Sequence, residues 1–154
     1  MQGISLAEPM ALFGFGKDKR DGGTSDLVLA YLEDESPGRQ VAEIIATAHE
    51  RGASLLMTTV NAGEIWYILA RQFSDADAER AIGDLKQLGI EFVDVDWKLS
   101  RAAAGFKARH RLSYTDCFAA ALAKDRKAEL VTGDRELKQV EGDVRIGWLE
   151  PHRI

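Results

Sequence analysis

Apolar positions along this chain recur in two alternating rhythms. From Arg39 to Glu50 they fall at Val41, Ile44, Ile45 and Ala48, the spacing of one helix face. Ser54 to Val60 is instead a short continuous apolar and β-branched run, the pattern of a strand buried on both sides. Asn61 to Gln72 returns to the helical period. Ser74 opens a further helix with Ala78, Ala81, Ile82, Leu85 and Leu88 on one face, stopped by Gly89. Ile90 to Val95 predicts a strand, Lys98 to His110 and Ser113 to Lys127 two helices, Glu129 to Thr132 a strand, and Val144 to Trp148 a last one. No Asn-Gly or similar hairpin signal joins neighbouring strand-like runs. Strands separated by helices imply crossover connections, so the pattern predicts a three-layer α/β domain with a mainly parallel sheet.

The start of the chain breaks this rhythm. Thr24-Ser25 can cap a short helix through Leu32, and Ser36-Pro37-Gly38 predicts a turn. Before Thr24, the Gly-rich, charged stretch from Gly14 to Gly23 predicts a loop or disordered arm, preceded by an apolar patch from Met10 to Phe15. Residues 1–23 are therefore set apart as an atypical arm, and residues 24–154 as the domain.

Composition narrows the classes. At 154 residues, 45% hydrophobic and 29% charged, one globular core is expected. No run approaches the roughly 20 apolar residues that span a bilayer. The basic residues Lys17, Lys19 and Arg20 follow the N-terminal apolar patch, the reverse of a secretory signal, so the cytoplasm is the expected location. Cys117 is the sole cysteine, which excludes an intrachain disulfide and a multi-thiolate zinc site. No Gly-rich loop followed by Lys and Ser/Thr is present, which excludes a P-loop.

Three carboxylates fit their surroundings poorly. Glu64 interrupts a helix stripe shared with Asn61, Ile65 and Ile68. Asp116 heads a stripe of Ala119, Ala120 and Ala123, small residues suited to close packing. Asp134 follows Leu130-Val131-Thr132-Gly133, just past a strand's carboxyl end, where parallel sheets place ligands. Each has an ordinary reading as well: first-turn charge for Glu64, a capping box with Ser113 for Asp116, a turn residue for Asp134. Together at one sheet edge they point to a cation site. Crowded carboxylates cannot all stay ionised without one, and an all-oxygen set favours Mg²⁺ or Mn²⁺. The three histidines show no ligand spacing, which disfavours zinc.

The net charge of -5 discourages nonspecific nucleic-acid binding only as a single number. Residues 101–127 carry seven basic side chains against two acidic ones, and Lys107, Arg109 and Arg111 stand just before Asp116. A basic rim beside a cation site could hold phosphates; alternatively, these cations complement a helix C-terminus.

The motifs Val60-Asn61-Ala62-Gly63-Glu64-Ile65, Leu112-Ser113-Tyr114-Thr115-Asp116 and Val131-Thr132-Gly133-Asp134, behind Leu29 to Glu35 and Pro37-Gly38, resemble the PIN domain and, within it, VapC-type toxin ribonucleases. The resemblance spans about Thr24 to Trp148. It implies an α/β/α fold and a metal-dependent endoribonuclease, with Glu64, Asp116 and Asp134 as catalytic metal-site carboxylates binding Mg²⁺ or Mn²⁺. It further implies an RNA substrate, a homodimer, and a protein antitoxin partner. In that setting Asn61 and Ser113 would orient carboxylates, and Arg109 and Arg111 would hold the RNA backbone.

The chain departs from the family at its opening. PIN domains usually run an apolar strand straight into Asp-Thr-Ser, whose Asp is the first metal ligand. Here Thr24-Ser25 remain, but the expected Asp falls on Gly23, or on Thr24 if the register slips by one. Asp26 is the nearest replacement, with Asp21 and Asp18 as alternatives. Met10 to Phe15 could supply the strand; the opening could instead be truncated or altered; or another chain could fill the groove. A weakened or inactive PIN-like domain that binds antitoxin or RNA is the alternative function.

Overall fold

In the computed structural model of the chain, residues 10–12 and 36–148 are described. Five strands form one sheet in the order β3-β2-β1-β4-β5. They are β1 (Met10–Leu12), β2 (Leu55–Thr58), β3 (Ile90–Val93), β4 (Glu129–Thr132) and β5 (Ile146–Trp148). Every pairing is parallel. Five described helices connect or flank them: α1 (Ser36–Arg51), α2 (Thr59–Gln72), α3 (Asp75–Gln87), α4 (Trp97–Arg109) and α5 (Tyr114–Arg126). The architecture is the α/β one that the alternating rhythms predict. No described helix is long and apolar enough to cross a membrane.

Helix starts follow from local hydrogen bonding. Thr58, Ser74, Asp96 and Ser113 each accept a backbone N–H from the first turn of the next helix, at 2.9 to 3.2 Å. Gly89 ends the α3–β3 turn at φ +89°, a left-handed value that glycine adopts without strain. A Cβ there would lie 3.0 Å from Nε2 of His49, which itself sits 2.8 Å from the Leu88 carbonyl oxygen. The 3₁₀ helix Arg135–Val140, between β4 and β5, has no counterpart in the sequence reading.

One expectation is corrected. Ser36-Pro37-Gly38 is not a free turn; it forms the first turn of α1, where proline's missing N–H costs no helical hydrogen bond. Met10–Leu12 is the middle strand, pairing with β2 on one side and β4 on the other. Of the accounts of the first strand, this is the one in which the Met10 to Phe15 patch supplies it. Gly23, the helix expected at Thr24 to Leu32, and Asp18, Asp21 and Asp26 lie outside the described residues.

The core lies on and around the sheet. All four residues of β2 are buried, as a strand covered on both faces requires. α5 is buried over the whole run from Asp116 to Ala123, so its alanines are the close-packing surface of a central helix. Chain order along the sheet reverses between β1 and β4. That reversal opens a crevice at the strands' carboxyl ends.

Candidate metal centre

Two strand ends and one helix start build the site. Thr58 and Thr132, the last residues of β2 and β4, are fully buried, and each hydroxyl fixes the turn beyond it. Thr132 Oγ1 accepts the Asp134 backbone N–H at 2.9 Å. Thr58 Oγ1 accepts the Asn61 N–H at 3.0 Å and donates to Asn61 Oδ1 at 2.5 Å. Asn61, buried in the first turn of α2, then donates from Nδ2 to the Thr115 carbonyl at 2.9 Å. α2 is thereby tied to the start of α5. Asn61 acts on the backbone at Thr115, one residue before Asp116.

Asp116 and Asp134 are 6% and 4% exposed, values at which a carboxylate needs partners. One oxygen of Asp134 has an ordinary duty, since Oδ1 accepts the Glu136 N–H at 2.9 Å and so caps the 3₁₀ helix. The Asp116 backbone N–H donates to Ser113 Oγ at 3.2 Å, which is half of the capping box the sequence suggests. The remaining oxygens are different. Oδ2 of Asp116 and Oδ2 of Asp134 are buried and have no hydrogen-bond partner among the described residues.

Asp116, Asp134 and Glu136 can each offer one oxygen within 4.8 Å of the other two. Burial, then the charge of Asp134 and more weakly that of Glu64, pushes the Asp116 carboxyl up from 3.8 to about 7, with hydrogen bonding to Ser113 opposing. Cys117 beside it is pushed up to about 11 by burial and the charge of Asp116, which leaves its thiol protonated and unreactive.

The residues present fit a hard divalent cation. The donors are all carboxylate oxygens, and two buried oxygens lack partners that a cation would supply. No lysine or arginine bridges to either aspartate among the described residues, so their charge is offset either by a proton that Asp116 holds up to about pH 7, beside Asp134, or by a bound cation that displaces it.

The site residues suggested by sequence fall into three groups. Asp116 and Asp134 come together. Glu64 lies beside them in the second turn of α2, not the first, so the helix-dipole reading does not apply to it; its Oε2 accepts from Thr115 Oγ1 at 2.7 Å. Ser113 caps α5, and its Oγ lies 3.2 Å from Thr115 Oγ1. Arg109 and Arg111 are exposed, and no ion pair joins either to the carboxylates among the described residues. Arg109 donates to the Gly105 carbonyl at 2.9 Å, and the Arg111 backbone pairs with the Gln139 amide. Lys107 caps the turn between α4 and α5, donating to the Leu112 carbonyl at 2.6 Å. Glu136 was missed. Its signal lay in Leu137 and Val140, buried at the three-residue spacing of a 3₁₀ turn, which places Glu136 two residues past Asp134.

The fold and this site together define an α/β domain with a carboxylate centre at the crevice between β1 and β4. The PIN domain family model matches residues 25–143, and the chain belongs to that family. The structure is similar to the DNA-bound VapBC of Salmonella typhimurium (TM-score 0.67, 14% identity, 91% of this chain and 97% of that one). It is also similar to VapBC2 of Rickettsia felis bound to a DNA fragment from the promoter (TM-score 0.65, 14% identity, 92% and 99%). A toxin-antitoxin complex from Klebsiella pneumoniae aligns at TM-score 0.59 and 9% identity, over 91% and 99% of the two chains. At such identities the likeness concerns the fold. No curated protein sequence matches the chain.

Proposed function

We propose that this PIN domain is a cytoplasmic, Mg²⁺- or Mn²⁺-dependent endoribonuclease of the toxin type, restrained by a protein antitoxin and acting as a homodimer. The observation that carries the nuclease reading is the pair of buried, unpartnered Oδ2 atoms of Asp116 and Asp134 at the crevice between β1 and β4. The fold it shares with VapBC complexes supports the antitoxin partner.

Asp116 and Asp134 would hold the cation through these oxygens, with Glu136 offering a third within reach. Glu64 adds charge beside them and is held by Thr115. Asp26, or else Asp21 or Asp18, would supply the ligand that the family places before Thr-Ser. A divalent ion bound by such a set activates water and offsets the charge of a phosphodiester. Ser113 fixes the start of α5 and so the direction of Asp116. Asn61 locks α2 against α5, and Arg109 and Arg111 would take phosphates of the RNA strand.

Calorimetric titration with Mn²⁺ at pH 8, paired with cleavage of a single-stranded RNA, tests this reading. Binding and cleavage in the unaltered protein, both lost in Asp116→Asn, support it. Mn²⁺ binding without cleavage would favour an inactive PIN-like domain that binds antitoxin or RNA.

A further inference from the structure

A second site lies outside the carboxylate centre, in a cleft of about 350 Å³ along α4 and the end of α5. Arg101, Gly105 and Arg109 stand at i, i+4 and i+8, one above another on a single face of α4. Gly105 makes the floor. A Cβ built there would meet guanidinium nitrogens of Arg109 at 3.0 Å and of Arg101 at 3.4 Å, so the two cations converge over the space its missing side chain leaves. Lys124, from the last turn of α5, reaches in with its Nζ 5.9 Å from the Phe106 ring centre, and His110 closes the end.

The charges in this cleft are poorly balanced. Asp143 is the one carboxylate among the described residues lining it, and its Oδ1 lies 3.4 Å from Lys124 Nζ. Neither arginine has a carboxylate partner among the described residues, and Arg109 is tied only to the Gly105 carbonyl. Two guanidinium groups drawn together without a counter-ion repel one another, and an anion between them removes that cost. The lining cations are exposed; the carbon surface between them comes from Ala102, the buried Phe106 and the stems of the basic side chains themselves, while the charged groups are three cations against one carboxylate. An apolar protein anchor seated here would leave both guanidinium groups without a counter-charge. A chain of phosphates needs only the cations.

We propose that this cleft binds the phosphodiester backbone of single-stranded RNA, through Arg101, Arg109 and Lys124, as a second contact separate from the carboxylate centre. The choice of RNA rests on the nuclease reading above. Arg101 and Lys124 are new to the binding surface. Asp143 is its electrostatic brake.

The experiment measures anisotropy of a fluorescein-labelled single-stranded RNA with the full chain, in EDTA, across a salt series. Arg101→Ala and Lys124→Ala should each weaken binding severalfold and flatten the slope of log K against log salt by about 0.7, the value for one phosphate contact on a single strand. Asp143→Asn should tighten binding, a gain that a misfolded variant could not give. Binding unchanged in all three variants overturns the proposal. So does polyglutamate that binds more tightly than the RNA at matched charge concentration and loses that affinity in the Arg101 and Lys124 variants, which would mean an acidic protein segment is the occupant. The assay needs neither metal nor cleavage. An unaltered protein that fails to cleave RNA while the variants shift affinity would therefore remove the nuclease reading and leave this one standing; cleavage with unshifted affinities does the reverse.

Discussion

Replacing Asp116 by Asn should make the metal-free protein more stable while destroying its cation site. The carboxyl is 6% exposed, beside Asp134, with one oxygen lacking any partner. Its pKa rises from 3.8 to about 7 on folding, chiefly through burial and then through the charge of Asp134. A carboxyl whose folded value is raised holds its proton in the folded state after the unfolded chain has released it. Stability therefore falls as pH climbs from about 4 to about 7, and the whole penalty is present above pH 7. About three pH units at 1.36 kcal/mol each amount to as much as about 4 kcal/mol, a large share of the roughly 5–15 kcal/mol that holds a domain together. Asn has nearly the same shape and no charge. In EDTA at pH 8, Asp116→Asn should melt higher by up to about 8–16 °C, since a protein of this size shifts about 2–4 °C per kcal/mol. At pH 4 the difference should close. Adding Mn²⁺ at pH 8 should raise the melting temperature of the unaltered protein and leave the variant nearly unmoved. A variant that melts at or below the unaltered protein in EDTA at pH 8 would refute the reasoning, because it would show Asp116 to be a structural group.

Other consequences are open to simple tests. Glu136→Gln should weaken Mn²⁺ affinity in calorimetry by about tenfold while leaving the melting temperature in EDTA nearly unchanged, since this side chain is exposed and contributes only an oxygen to the cluster. Lys127 ends α5 at φ 51°, so Lys127→Gly should stabilise the fold by roughly 1 kcal/mol in urea denaturation. Gly89→Ala should cost at least about 1 kcal/mol, because its φ of +89° disfavours any side chain and the new methyl would press on His49. Asn61→Ala should lower thermal stability and cleavage together, by roughly 1–3 kcal/mol in the first case, as the Thr58 hydroxyl loses its acceptor and the Thr115 carbonyl its buried donor.

The parts of the fold legible in the sequence are those in which one local signal governs. Ser74 and Ser113 announce α3 and α5 because a side-chain oxygen at the helix start satisfies an otherwise unpaired N–H. β2 and β4 show as apolar runs because both of their faces are covered. The stripe Ala119, Ala120 and Ala123 marks a close-packed helix, and the carboxylate at its head is buried with it. β1 has only three residues, too few to display a period, and its place is decided by pairing with β2 and β4 rather than by its own pattern. Pro37 and Gly38 look like a turn in isolation, yet a helix's first turn tolerates both. Glu136 and the Arg101–Lys124 cleft depend on how separate elements meet. A count of charges from 101 to 127 shows the excess of cations but not which of them converge over Gly105.

The central claim is that Asp116 and Asp134 hold a cation for RNA cleavage. A single-stranded RNA incubated with the purified chain at pH 8 tests it most directly, with Mn²⁺ or with EDTA, beside Asp116→Asn shown by its melting curve to be folded. Cleavage that requires Mn²⁺ and vanishes in the folded variant is the result this account predicts. Cleavage that persists in EDTA, or in Asp116→Asn, would contradict it.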